Sequence, residues 1–201
     1  MMTVIHGDAG AVAPVTADLI LTDPPFDLHG AELHRIINRH PAQHLILLCA
    51  MRQALQFYAA ADAADDWNYG FDFVLDMVQP RKSQSKYQPN NIHVSGLYFR
   101  RDRSGFDRTR RPRSDVFGER GYWPSIIRAP RERMDESGYA KPVQALADII
   151  GCFDVKHVLD PFAGSGSTGL ACLELGIDCT LIERDAAQVD AMRQTLAFFG
   201  V

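Results

Sequence analysis

The stretch that decides the fold reads Val158-Leu159-Asp160-Pro161-Phe162-Ala163-Gly164-Ser165-Gly166-Ser167-Thr168. Two apolar residues lead into a turn with two glycines, and residues 168–175 then have helical spacing up to Gly176. A glycine-rich turn between a strand and a helix lets a ligand approach the backbone closely, because glycine has no side chain in the way. The stretch therefore predicts a strand–turn–helix unit that binds a small molecule.

The rest of the chain alternates strand and helix patterns around this unit. Short apolar strands are predicted at 4–6, 18–21, 44–49, 155–159 and 179–182, and helices at 31–38, 52–61, 142–150, 168–175 and 186–198. Two further strands, 71–78 and 93–99, flank a polar loop and predict an antiparallel hairpin at a sheet edge. Alternation with short connections predicts an α/β fold with a mostly parallel, doubly wound sheet.

Size and composition fit one domain that spans residues 1–201. No run approaches the roughly 18 apolar residues of a membrane span, and the N-terminus lacks the charge and apolar pattern of a signal peptide. The four cysteines show no Cys-x-x-Cys spacing and lie in apolar or helical surroundings. These features predict a reduced, cytoplasmic protein without a metal site and without membrane attachment.

An acidic residue ends the strand that follows the glycine-rich turn. Glu183 closes the apolar run 179–182 and lies 19 positions after Gly164. Nucleotide-binding α/β folds place a carboxylate on ribose hydroxyls at about this spacing. A phosphate loop is disfavoured, because no Gly-Lys-Ser/Thr follows and the turn holds no cation. A dinucleotide site stays open on spacing, since Gly164, Gly166 and Gly169 complete Gly-x-Gly-x-x-Gly.

A second motif comes early in the chain and reads Thr22-Asp23-Pro24-Pro25-Phe26. It follows the apolar run 17–21, and it combines a carboxylate, two prolines and an aromatic ring in one rigid turn. The same residues could form an ordinary proline-rich loop, with Asp23 capping a helix and Phe26 in the core. The presence of the glycine-rich turn and Glu183 in the same chain favours a functional site.

Together the two motifs resemble those of the amino-group DNA methyltransferases, whose catalytic signature is Asp/Asn/Ser-Pro-Pro-Tyr/Phe and whose cofactor loop reads Phe-x-Gly-x-Gly. The catalytic run comes first here, which resembles the circularly permuted β class with its Rossmann-like class I methyltransferase fold. The resemblance implies S-adenosyl-L-methionine as the cofactor. The cofactor-binding residues that it implies are Asp8, Lys141, Pro142, Asp160, Phe162, Ala163, Gly164, Ser165, Gly166, Ser167, Thr168 and Glu183. Family members usually carry a histidine shortly before Lys-Pro, and residues 135–140 contain none.

The early turn has the groups that methylation of an exocyclic amine needs. Such an amine is a poor nucleophile because its lone pair is delocalised into the ring, and two acceptors aimed at its N–H bonds favour the reactive geometry. Asp23 supplies a carboxylate and Pro24 a carbonyl. Pro25 stiffens the turn, and Phe26 offers a face on which a flipped base can stack. These four residues are the predicted catalytic site.

In the resembling family, Asp-Pro-Pro-Tyr/Phe usually accompanies adenine N6, while Ser-Pro-Pro is more typical of cytosine N4. The prediction is therefore a site-specific enzyme that methylates adenine N6 in DNA by base flipping, with N4-cytosine as the alternative. A non-catalytic S-adenosylmethionine-binding subunit of a methyltransferase complex is a third hypothesis. The intact Asp23-Pro24-Pro25-Phe26 run disfavours it.

Positive charge is concentrated in the middle of the chain. The net charge is −4, but residues 80–141 hold 15 Lys and Arg against 7 Asp and Glu, and the remainder holds 6 against 18. This segregation predicts a basic target-recognition insert at about 101–137 that contacts double-stranded DNA. A solvated loop is the alternative, because residues 100–113 contain few apolar side chains.

The residues predicted to contact DNA are Arg81, Lys82, Arg108, Arg110, Arg111 and Arg113. Arginine can bind phosphate or read guanine. Among the interleaved aromatics, Phe106, Tyr122 and Trp123 either stack on DNA or form a small core. A homodimer is compatible with the sequence. The sequence decides neither the DNA sequence that is recognised nor whether a restriction endonuclease is a partner.

Overall fold

The computed structural model describes residues 1–81, 86–87, 91–101, 123–129 and 142–200, without the side chains of 78–81 and 91. Its strands are β1 (Met2–His6), β2 (Leu19–Thr22), β3 (His44–Cys49), β4 (Asn68–Arg81), β5 (Asn91–Arg100), β6 (Ile126–Arg128), β7 (His157–Asp160) and β8 (Asp178–Glu183). Its helices are α1 (Gly30–Ile37), α2 (Met51–Ala64), α3 (Val143–Gly151), α4 (Ser167–Leu175) and α5 (Ala186–Phe198).

The strands form one sheet in the order β1-β8-β7-β2-β3-β5-β4-β6. The first five strands in that order are parallel to one another, and β5 pairs antiparallel with both β3 and β4. The predicted α/β fold with a mostly parallel sheet is therefore confirmed. The β4–β5 hairpin lies one strand in from the edge, because β6 pairs in parallel with β4.

Apolar residues cover both faces of the sheet. Every residue of β2 and β3 is buried, as expected for parallel strands with helices on both sides. One core contains Leu21 and Ile46 with residues of α3, α4 and α5, and the other contains Ile20 and Leu45 with residues of α1 and α2. The sheet is thus the middle layer of three, as in a doubly wound fold.

The predicted insert at 101–137 includes part of the central sheet. Ile127 of β6 is fully buried at 0% exposure, and the Trp123 ring lies 5.3 Å from Phe71 and 5.2 Å from Phe73. Trp123 is therefore a core residue rather than a DNA-stacking one. Its predicted neighbours Phe106 and Tyr122 lie outside the described residues.

All four cysteines are buried and free of disulfide bonds. Among the described helices, none has the length and apolar character to cross a bilayer. Across the described ranges, no three His, Cys, Asp or Glu side chains cluster as metal ligands would.

Candidate functional site

The carboxyl ends of β1, β8, β7 and β2 meet around one cleft of about 720 Å³. Parallel strands end on the same side of a sheet, so residues far apart in sequence converge there. The cleft brings together most of the predicted site residues, namely Asp8, Asp23, Pro24, Pro25, Phe26, Asp160, Phe162, Ala163, Gly164, Ser165, Ser167, Thr168 and Glu183. The two motifs recognised in the sequence thus form one site.

Asp160 joins the two motifs directly. Thr22 Oγ1 donates to Asp160 Oδ1 at 2.7 Å across 138 positions of sequence, and Thr168 Oγ1 donates to Oδ2 at 2.6 Å. The Phe162 backbone N–H donates to Oδ1 at 3.1 Å. These bonds of the buried carboxylate hold the turn at 22–26, named the catalytic turn after its predicted role, against the loop at 160–168, named the cofactor loop.

Burial raises the pKa of Asp160 from 3.8 to about 6. The hydrogen bonds from Thr168, Thr22 and Phe162 oppose that rise in pKa, while the negative charge of Asp23 adds to it. Burial is thus the main cause of the raised pKa of Asp160, and the charge of Asp23 is the smallest contribution to it.

The glycine-rich loop needs glycine at two positions because of its backbone conformation, and at one of them also because of a close neighbour. Gly164 and Gly166 have φ angles of 51° and 83°, a conformation that L side chains rarely adopt. A Cβ at Gly166 would also lie 2.6 Å from Met192 Cγ of α5. The loop therefore turns sharply into α4, with Gly166 at the N-cap and Ser167 and Thr168 in the first turn.

Glu183 supports this loop from β8. Its Oε2 accepts the Gly164 N–H at 2.8 Å, and its Oε1 accepts the Asp185 N–H at 2.8 Å. A carboxylate oxygen has two lone-pair directions, so each can also accept from a ligand hydroxyl. Asp8 lies just after β1, the strand next to β8, where the Gly7 N–H donates to the Glu183 carbonyl at 2.9 Å. Asp8 is exposed, and its Oδ1 accepts the Gly10 N–H at 2.7 Å.

The catalytic turn presents an aromatic ring to the cleft. Phe26 is 60% exposed, so the interpretation of Phe26 as a core residue is wrong. The helix that follows is capped by His29, whose Nδ1 accepts the Ala31 N–H at 3.2 Å. The capping role considered for Asp23 therefore belongs to His29, which leaves Asp23 as a cleft-lining carboxylate.

Several cleft residues come from helices and are missed by motif analysis. Glu32 and Arg35 of α1, Leu146 of α3 and Gln188 of α5 all line the cleft. Glu32 and Arg35 are three positions apart on the helix predicted directly after the catalytic turn, and this spacing is the signal that could have identified them.

Some predicted site residues are not brought into the cleft. Pro142 is buried before α3 and is not among the described residues that line the cleft, although Leu146 one turn later is. Arg81 ends β4, and only its backbone is described. Lys82, Arg108, Arg110, Arg111, Arg113 and Lys141 lie outside the described residues.

A model of the DNA methylase family matches residues 63–194 of the chain. The chain belongs to the N6/N4 DNA methylase family. The matched range contains the glycine-rich loop and Glu183 but begins after the Asp23-Pro24-Pro25-Phe26 turn. The resemblance noted in the sequence is thus confirmed, and its cofactor, S-adenosyl-L-methionine, is confirmed with it. No curated protein sequence matches the chain.

Solved structures share the fold of this N6/N4 DNA methylase. The M1.HpyAVI–SAM complex is 19% identical with a TM-score of 0.72, over 97% of this chain and 100% of that one. TTHA0409 of Thermus thermophilus, assigned as a DNA modification methylase, is 16% identical with a TM-score of 0.73, over 98% and 95%. The cytosine-N4-specific PvuII DNA methyltransferase is 14% identical with a TM-score of 0.71, over 96% and 85%. These likenesses establish the class I methyltransferase fold, and the circular permutation stays a prediction.

The cleft of this N6/N4 DNA methylase fits its cofactor. Its volume lies within the range of about 300–1,000 Å³ that is usual for small-molecule sites. The Glu183 carboxylate can accept ribose hydroxyls, and the glycine loop carries no cation of the kind a phosphate group would require. Both features suit a nucleoside without phosphates.

Proposed function

We propose that the protein methylates the N6 amino group of adenine in double-stranded DNA. The observation that carries the proposal is the Asp160 carboxylate, which accepts from Thr22 beside the catalytic turn and from Thr168 in the cofactor loop. Any base that enters the turn is therefore held next to the loop. The choice of adenine rests on the Asp-Pro-Pro-Phe form of the motif.

The cofactor residues hold the methyl donor in this proposal. Glu183 accepts from ribose hydroxyls, and the loop from Phe162 to Thr168 surrounds the rest, with Asp8 also lining the cleft. When bound, S-adenosylmethionine supplies an electrophilic methyl group on a sulfonium. The residues contribute by fixing the direction from which a nucleophile approaches, which is a large part of the rate enhancement in group transfer.

Asp23 and Pro24 prepare the nucleophile. The Asp23 carboxylate and the Pro24 carbonyl oxygen accept the two N–H bonds of the amine, which favours a pyramidal nitrogen with its lone pair available. The nitrogen would form one new bond to the methyl carbon as the carbon–sulfur bond of the sulfonium breaks to leave a neutral thioether, and it would give up one proton, which Asp23 can accept. Phe26, exposed at the cleft, stacks on the base once the base has left the duplex.

DNA contact is assigned to basic residues on the antiparallel side of the sheet. Strands β4 and β5 continue beyond Cys49, the last residue of β3, because Asn91–Val94 pair only with β4. Arg81 ends this extension of β4 and Lys82 follows it in the sequence, which supports their assignment to DNA contact. Arg108, Arg110, Arg111 and Arg113 complete the proposed set, and each phosphate contact would make binding more sensitive to salt.

Nucleoside analysis tests the proposal. Unmethylated bacterial DNA is incubated with the protein and S-adenosylmethionine, digested, and analysed by mass spectrometry. We expect N6-methyldeoxyadenosine. Detection of N4-methyldeoxycytidine would show that the substrate is cytosine. Cofactor binding without any methyl transfer would favour the non-catalytic subunit.

A further inference from the structure

Helix α2 braces the catalytic turn through one buried side chain. Gln53 is 3% exposed, and its Nε2 donates to the Pro25 carbonyl at 3.0 Å and to the Leu28 carbonyl at 2.8 Å. The opposite amide orientation would set Gln53 Oε1 against two carbonyl oxygens, so the chemistry fixes which atom faces the turn. Both amide protons are therefore used to hold the backbone of the turn.

The two proline carbonyls of the turn are treated differently. The Pro25 carbonyl accepts from Gln53 and also from the Leu28 N–H at 3.1 Å. Within the described part of the chain, the Pro24 carbonyl accepts no such bond. Protein donors therefore bind the Pro25 carbonyl, and the Pro24 carbonyl can accept from a donor of the substrate.

Holding the Pro25 carbonyl also orients the Pro24 carbonyl. The peptide planes that carry these two oxygens are rigid, and the only torsions between them are φ and ψ of Pro25. The proline ring fixes φ, and the hydrogen bonds from Gln53 and Leu28 restrict ψ. The direction of the Pro24 carbonyl follows from the position of Gln53.

We propose that Gln53 is a positioning residue, which aims the Pro24 carbonyl at the target amine by fixing the Pro25 carbonyl behind it. This inference rests on the proposed function, because it assigns a purpose to a carbonyl that only amine methylation would use. Gln53 touches neither base nor cofactor in this role. Its loss should therefore lower the rate of methyl transfer and leave cofactor affinity unchanged.

The test compares Gln53→Met with Gln56→Met. Methionine keeps the length of the side chain and removes the donors. Gln56 lies on the same helix, and its Oε1 accepts the Gly30 N–H at 3.1 Å, at the far end of the same loop. We expect Gln53→Met to slow single-turnover transfer by about tenfold or more, with cofactor affinity and melting temperature close to wild type. Gln56→Met should stay within about threefold of wild type.

Three results of this comparison would overturn the proposal. One is a folded Gln53→Met protein with a rate within about twofold of wild type. Another is an equal loss in both variants, which would indicate general loosening of the loop. A Gln53→Met protein that binds cofactor more weakly in proportion to its lost rate would also contradict a positioning role.

Hydrogen exchange of backbone amides tests the role of Gln53 without any need for methyl transfer. In the wild-type protein the Leu28 amide should exchange slowly, since it donates to the carbonyl that Gln53 holds, and in Gln53→Met it should exchange faster. Rapid exchange in wild type overturns the brace even where the variant does not fold. If wild type does not methylate DNA, the proposed function fails, and this exchange comparison still decides whether Gln53 fixes the turn.

Discussion

The two halves of the sheet are held together by different interactions. In the parallel half, buried polar groups fix the strand ends, as where Asp160 accepts from Thr22 and Thr168. In the antiparallel half, aromatic rings pack against one another, as where Trp123 meets Phe71 at 5.3 Å. Hydrogen bonds fix the direction as well as the distance between two atoms, so the parallel half is suited to position reacting groups. The antiparallel half contains β5 and β6, between which the basic residues lie in the sequence.

The basic segment, residues 102–122, lies in the sequence between β5 and β6, which both belong to the antiparallel half. Arg101, just before it, donates from its backbone N–H to the Gln43 carbonyl at 3.0 Å. The Arg101 guanidinium also lies 4.4 Å from the centre of the Trp67 ring. Chemistry and DNA contact should therefore respond to separate substitutions.

The largest expected effect is the loss of an acceptor in the parallel half. Asp23→Ala should lower the rate of methyl transfer by about 10²–10³-fold, because a positioned acceptor stabilises the charge that develops on the amine. Cofactor affinity measured by calorimetry should stay near wild type. Activity within a few-fold of wild type would remove Asp23 from the mechanism.

The next effect concerns the carboxylate that joins the motifs. Asp160 has a pKa of about 6 in the folded protein against 3.8 ordinarily, so between these pH values the folded state holds a proton that the unfolded state has lost. Stability from this group is full below pH 3.8 and is lost as pH rises through about 6. The ionised carboxylate then occupies a buried site.

Comparison with Asp160→Asn isolates this contribution, because the amide does not ionise. Between pH 4 and pH 7 the unfolding free energy of wild type should fall relative to the variant by roughly 2 kcal/mol. Urea titrations of both proteins at each pH measure the difference. A difference that is constant with pH would mean that Asp160 ionises at its ordinary pKa.

Sequence patterns anticipated the parallel half better than the antiparallel half. Strands such as 44–49 are continuous apolar runs. The turn Asp160–Thr168 carries two closely spaced glycines, and this pattern is typical of only a few backbone conformations. Strand β6 has three residues and no periodicity of its own. It forms because it pairs with β4, and a strand that depends on such a tertiary contact has no pattern of its own in the local sequence.

The same contrast applies within the site. Residues on strand ends, such as Asp23 and Glu183, were predicted from motifs and spacing. Residues on helices, such as Gln188 and Gln53, reach the site only through packing. Gln53 left one weak signal, a polar residue beside the buried stripe Ala54, Phe57 and Ala61 of α2.

A smaller effect should follow from removal of the acid on β8. Glu183→Ala should weaken S-adenosylmethionine binding by roughly 1.5–3 kcal/mol, since ribose hydroxyls lose a charged acceptor. The loss includes some loosening of the loop, because Glu183 also accepts the Gly164 N–H. Calorimetry on protein with a wild-type melting temperature checks the value. An unchanged affinity would mean that Glu183 does not bind the ribose, and Asp185 would then be assigned to that contact.

The smallest effect is expected from the basic cluster that lies between β5 and β6 in the sequence. Replacing Arg108, Arg110, Arg111 and Arg113 by serine should weaken DNA binding and flatten its salt dependence, by about 0.9 in log–log slope for each phosphate that the variant no longer binds. Cofactor affinity should not change. A variant with an unaltered salt slope and normal methylation would make this cluster a solvated loop.

The central claim is that the two motifs form one site, and amide exchange with and without S-adenosylmethionine tests it most directly. Cofactor should protect the loop at 163–168 and also the amides of Phe26, Asp27 and Leu28 in the catalytic turn, because both line one cleft. Protection should be lost at both places in Glu183→Ala at cofactor concentrations that saturate only wild type. Protection of the loop with no change in the turn would contradict a shared site.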